Sequence, residues 1–191
     1  MPLPTAAVRG DRRAELAKAA YELIAERGID GLSLRALARR LGATTGLLSH
    51  HFIDRAELVE AALDHAAAVI VDRVMALGAD ADPLEILSVV LPTDPATIEN
   101  WRFALSVRTA AMFDESLRRF PERILRLWEE QFPAVLARHV EGDPIEATRY
   151  LIALVDGIAL QAALDPEGWP AARQLETIRR GFDSVARRDA S

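Results

Sequence analysis

The amino-acid sequence predicts an all-α chain, and three observations predict it. Ala, Leu, Arg and Glu dominate 191 residues that are 50% hydrophobic and 27% charged. Apolar residues recur at three- and four-residue spacing, and no alternating strand pattern extends beyond a few residues. The punctuation is that of helix ends, with glycine after a periodic stretch or aspartate then proline before one. This balance suits a packed core rather than a disordered chain. The absence of cysteine excludes disulfides, thiolate metal sites and cysteine nucleophiles. No apolar run approaches the roughly 20 residues of a bilayer span, and the first residues do not read as a secretory signal. The expectation is a cytoplasmic protein with no membrane partner.

The first helix is expected over 9–27, where Leu16, Ala20, Leu23, Ile24 and Arg27 form one stripe before Gly28. Ser33 is the expected N-cap of a short helix through Arg40 that turns Leu34, Leu37, Ala38 and Leu41 inward, with Gly42 as its stop. Thr44 or Thr45 caps a third short helix reaching His51. A long fourth helix fits 54–77, opened by Asp54 and stopped by Gly78. Asp82-Pro83 and Asp94-Pro95 open helices over 83–91 and 95–113. Residues 116–140 are helical too, but Pro121 and Pro133 must start, kink or divide that stretch. Asp143-Pro144 opens a helix to Leu164, and Trp169-Pro170 a last one to Arg188.

Net charge is −6, which does not suggest a polyanion binder until the charge is located. Residues 1–50 carry eight basic and five acidic side chains, a net +3, whereas the rest of the chain carries −9. A mildly basic head on an acidic body suggests two tasks, although ordinary surface scatter gives the same numbers. The informative segment is 33–58. Two short amphipathic helices flank a glycine-containing turn, the pattern of a helix-turn-helix. Leu34, Leu37, Leu41, Leu48 and Phe52 can pack the pair against the first helix. That leaves a small, polar outer face of Thr44, Thr45, Gly46, Ser49 and His50, of a size to enter a major groove.

The segment from Glu15 to Leu63 resembles the N-terminal domain of the TetR family of bacterial transcriptional repressors. The resemblance rests on Glu26-Arg27-Gly28, Ser33-Leu34-Arg35 with Leu37-Ala38, and Leu41-Gly42. It continues through Gly46-x-Leu48-x-His50-His51-Phe52 and Arg55-x-x-Leu58. It implies a helix-turn-helix DNA-binding domain at 1–53 and a larger helical effector-binding and dimerisation domain at 54–191. It implies phosphate contacts from Ser33 and Arg55, and phosphate or base contacts from Arg35, Thr44, Thr45, Gly46, Ser49 and His50. Leu47 stands where a threonine is common; it meets a thymine methyl or serves as one more core contact. Many members carry lysine in place of Thr45 and tyrosine in place of Ser49, so the affinity and its salt dependence are expected to be reduced.

The same resemblance implies a small-molecule effector pocket among the middle helices. Trp101, Phe103, Met112, Phe113, Trp128 and Phe132 are its candidate lining and Arg102 or Arg108 its candidate polar anchor, though helical spacing alone makes the aromatics core. The stretch 156–166, DGIALQAALDP, resembles the dimerisation helix of one large subgroup. Leu151, Leu154, Val155, Gly157, Ile158 and Ala162, with Ile178 and Phe182 of the last helix, are the implied dimer interface. On its own pattern, that helix is either the centre of one protomer or a face of a two-fold pair. His50 and His51 fall on different helical faces, and His65 and His139 stand alone, so no metal site is expected. With no Gly-rich phosphate loop, nucleophile elbow or acid pair in an apolar frame, no cofactor or catalytic group is expected either. The expected protein is thus not an enzyme. It is a homodimeric regulator, a repressor that binds a palindromic double-stranded operator and is released by a small-molecule effector. The alternative is a helical dimeric ligand-binding or interaction protein without DNA binding, suggested by the acidity and the missing lysine and tyrosine.

Overall fold

The computed structural model describes residues 6–186, with side chains from Arg12 onward except that of Leu47. Among these residues there are α-helices, two 3-10 turns and no strand; the only bridge of extended backbone joins Val140 to Ala186. The helices are α1 (Ala6–Arg27), α2 (Leu34–Leu41), α3 (Thr45–Ser49), α4 (Arg55–Ala76), α5 (Pro83–Val89), α6 (Pro95–Ala111), α7 (Arg119–Leu136), α8 (Pro144–Leu164) and α9 (Ala171–Val185). The 3-10 turns, Ile29–Gly31 and Glu115–Leu117, carry no helical periodicity long enough to be anticipated.

The aspartate–proline signals mark helix starts for a physical reason. Asp82 accepts a hydrogen bond from Leu84 N–H and completes a reciprocal box with Glu85. Asp94 accepts from Ala96 and Thr97, and Asp143 from Ile145. In each case proline follows, where a helix has no use for the missing N–H. The expectation for 116–140 is refined. Pro121 lies in the first turn of α7, whose backbone donors have no intrahelical acceptor anyway, and α7 continues past Pro133 to Leu136. The last helix ends at Val185, and the expected end at Arg188 falls outside the described residues.

The chain forms two compact bodies, divided within α4 and within α6. The first holds α1 to α3, α4 through Val69, and Arg102–Phe120. Its core is continuous: Leu16, Leu23 and Ile24 of α1, Leu37 of α2, Leu48, Phe52, and Leu58 of α4 are all buried, together with Phe103 of α6. Tyr21 packs between His65 and Phe103 at ring-centroid distances of 5.1 and 5.2 Å.

The second body holds Ile70–Trp101 and the chain from Pro121. Trp101 is buried and donates its indole N–H to the carbonyl of Val90 at 2.6 Å, tying α6 to the end of α5. Gln174 of α9 donates to the carbonyls of Pro92 and Trp169. Helices α8 and α9 approach closely at Gly181, where a Cβ would lie 2.0 Å from a methyl of Leu154 and would require that side chain to shift. One feature differs from the expectation for membrane spans. By length and composition α8 is apolar enough to cross a bilayer, although it carries Arg149 and Asp156, and only 39% of its most apolar stretch is buried.

Candidate nucleic-acid interface

The helix-turn-helix is held from its inner side. Leu37 and Ala38 of α2 are buried, and Arg40 reaches back to α1 with both amino groups. It forks onto Glu26 at 2.8 Å and meets Glu22 at 3.0 Å, which holds the Glu26 carboxyl below its ordinary range. Ser33 caps α2, its Oγ accepting from Ala36 N–H at 3.1 Å. Gly42 then takes φ +60°, a left-handed conformation that turns the chain toward α3.

Helix α3 is one and a half turns long and would not persist alone. It is pinned by Leu48, 0% exposed, and by Phe52, 1% exposed, just beyond its end. Arg13 of α1 lies over the Phe52 ring at 4.6 Å, donates to the carbonyl of His51 at 2.6 Å, and pairs with Glu57 of α4 at 2.8 Å. Glu57 in turn accepts from the N–H of Ile53, and that bond, with the Arg13 guanidinium, keeps its carboxyl below the usual range. Sequence reading missed Arg13 as a site residue. A lone arginine on an amphipathic helix carries no local sign that it will span three elements.

With the inner side committed, the outer side is open. Ser33, Arg35, Thr44, Thr45, Gly46, Ser49 and His50 are all exposed. Arg35 has no ion pair or hydrogen bond among the described residues, whereas Arg13 and Arg40 are both engaged. The Ser33 hydroxyl accepts the cap bond and keeps its own proton to donate. Ser49 donates to the carbonyl of Thr45 at 2.9 Å and keeps its lone pairs. A methyl on Gly46 would touch nothing closer than Thr44 Oγ1 at 4.0 Å, so nothing inside the protomer calls for glycine there. The Leu47 side chain lies outside the described residues. Arg55 differs from the others: its guanidinium donates to the carbonyls of Ile29 and Leu32.

The expected effector residues divide between the two bodies. Trp101, Trp128 and Phe132 belong to the second, with Trp128 edge-on to Phe132 at 5.3 Å. Arg102, Phe103, Arg108, Met112 and Phe113 belong to the first. Phe103 is core, while Met112 and Phe113 are 71% and 86% exposed. The expected interface residues Leu151, Val155, Ile158, Ala162, Ile178 and Phe182 are buried within a single protomer, and Leu154 lies against Gly181. What α8 leaves uncovered includes Ala153, the expected Gly157, Leu160 and Leu164, spaced i, i+4, i+7 and i+11, beside the exposed Arg149, Tyr150 and Gln161.

Comparison with known proteins decides the family. The pattern of bacterial regulatory proteins of the tetR family matches residues 16–62, and that of the BetI-type transcriptional repressor C-terminal domain matches residues 82–187, more than half of the chain. The chain belongs to the TetR family. The regulator PksA of Bacillus subtilis is 31% identical over 93% of this chain and 91% of its own. The BetI regulator of Burkholderia mallei is 29% identical over 96% and 97%. Among solved structures, a transcriptional regulator of Rhodococcus superposes with a TM-score of 0.83 at 25% identity, covering 91% of this chain and 95% of that one. This TetR-family protein is therefore a helix-turn-helix DNA-binding transcriptional regulator, and its relatives are regulators rather than enzymes. The alternative of a helical protein without DNA binding has no support in these relatives.

Proposed function

We propose that the protein is a homodimeric cytoplasmic repressor. It binds a palindromic operator through two copies of the α2–α3 face and leaves it when a small-molecule effector binds. Residues 1–53 read DNA, and 54–191 carry the effector and the dimer. Ser33 and Arg35 meet phosphate from the start of α2, while Thr44, Thr45, Gly46, Ser49 and His50 enter the groove. One observation carries the reading. Leu37, Ala38, Leu48 and Phe52 of the helix-turn-helix are buried on its inner side, and the outward face of α2–α3 is small, polar and served by an uncommitted arginine.

The dimer reading rests on α8. The apolar residues Ala153, Gly157, Leu160 and Leu164 of this long helix are exposed in one protomer, and the small residues Ala153 and Gly157 allow a symmetric partner to come close. The second body supplies the candidate effector lining Trp128 and Phe132, which pack edge-on, and Trp101. Selection of bound sites from random duplex DNA, followed by mobility shift at low and moderate salt, tests the reading. A selected site with an inverted repeat supports it, and a complex that forms equally on any sequence contradicts it.

A further inference from the structure

A small cluster of long-range hydrogen bonds lies just before α2. Ile29 sits in the 3-10 turn that follows α1, and its side chain is buried. Its backbone N–H donates to Ser106 Oγ of α6 at 2.7 Å. Its carbonyl accepts from Leu32 N–H at 3.1 Å and from an amino group of Arg55 of α4 at 2.6 Å. Arg55 Nε also donates to the carbonyl of Leu32 at 3.3 Å. Leu32 immediately precedes Ser33, the cap of α2.

One peptide segment is thus held from two sides by side chains 77 and 26 positions away in the chain. A turn of three residues has no regular ladder of its own, so these bonds, together with the buried side chains of Ile29 and Leu32, determine where it lies. The Arg55 guanidinium also faces Asp30 at 3.8 Å, but Asp30 is fully exposed and screened by solvent, so the carbonyl bonds dominate. An arginine with two of its donor groups committed to carbonyls has a fixed direction, unlike Arg35.

We propose that Ser106 and Arg55 are positioning residues for DNA binding. They clamp the 28–32 turn and thereby set the pose of the helix-turn-helix, and Arg55 does not serve as a phosphate ligand. The proposal rests on the DNA-binding reading of the α2–α3 face.

The test uses the full chain and the variants Ser106→Ala, Ser106→Thr and Arg55→Ala, each checked for wild-type helicity by far-UV circular dichroism. Two readouts are taken: amide hydrogen exchange at Ile29, and anisotropy of a labelled duplex from the DNA flanking the protein's own gene across a salt series. Ser106→Ala is expected to speed Ile29 exchange about fivefold or more and to weaken DNA binding about fivefold, the scale of one lost hydrogen bond. Ser106→Thr, which keeps the hydroxyl, restores both. Arg55→Ala weakens binding with the salt slope unchanged. A slope lower by about one in Arg55→Ala would make it a phosphate contact and overturn the assignment. Unchanged Ile29 exchange in Ser106→Ala would overturn the clamp. If the wild-type chain binds no such duplex, the DNA-binding reading fails, while the exchange measurement still decides the clamp.

Discussion

The outer face of α2–α3 and the outer face of α8 are both exposed surfaces of helices, yet they are built from opposite materials. On the first, the apolar residues Leu37, Leu48 and Phe52 are turned wholly inward, and serine, threonine, glycine, histidine and arginine remain outside. On the second, the inward side is apolar as well, but Ala153, Gly157, Leu160 and Leu164 remain outside, with Leu164 73% exposed. A polar face with an unpaired cation suits a hydrated polyanion; an apolar face with small residues suits a copy of itself. The difference shows that exposure alone says little about function until the chemistry of what is exposed is compared.

That contrast can be broken from the α8 side with the largest effect. Leu160→Glu places a charge on the apolar stripe, and sedimentation equilibrium is expected to find single protomers of unchanged helicity. Loss of the second head should lower apparent operator affinity by about a hundredfold or more. A variant that remains dimeric would remove this stripe from the interface.

Arg35→Ala acts on the polar face. Operator affinity should fall by roughly tenfold and the salt dependence by about one unit, with the dimer intact. Gly46→Ala sharpens the comparison further. Because a methyl there meets nothing within the protomer, the thermal unfolding of the free protein should be unchanged or improved by about 0.5–1 kcal/mol, while DNA binding weakens. A methyl that left DNA binding intact would mean that α3 does not approach a duplex closely at this residue.

The smallest effect lies between α1 and α4, where His65 packs edge-on against Tyr21. Burial, aided by the positive charge of Lys18 and opposed by Glu22, lowers the pKa of His65 from its ordinary 6.5. The folded chain therefore holds that proton less readily than the unfolded one. Its contribution to stability is present in full above about pH 6.5 and is lost as pH falls toward the folded pKa. His65→Phe, which keeps the edge-on contact with Tyr21, should flatten the fall in melting temperature over that interval.

Much of this was legible in the chain itself. Capping aspartates before prolines and glycines after periodic stretches are local signals, so α2, α5, α6 and α8 began where expected. Burial of Leu37 and Leu48 followed from helical spacing, and so did the polarity of the opposite face. Periodicity could not tell which apolar side of α8 turns inward, because the helix is apolar over much of its circumference. Tertiary packing makes the distinction, burying Leu151 and Ile158 and leaving Gly157 and Leu160 exposed. Nor could it find Arg13 or Ser106, whose partners lie 38 and 77 residues away. Such long-range bonds leave no trace in spacing.

The central claim is that two copies of the polar face meet one duplex together. Hydroxyl-radical footprinting of a duplex selected by the full-length protein tests it most directly. The account predicts two protected patches related by a dyad, with centres separated by about one helical turn, roughly 34–36 Å, or a multiple of it. A single protected patch without a symmetric mate would contradict it.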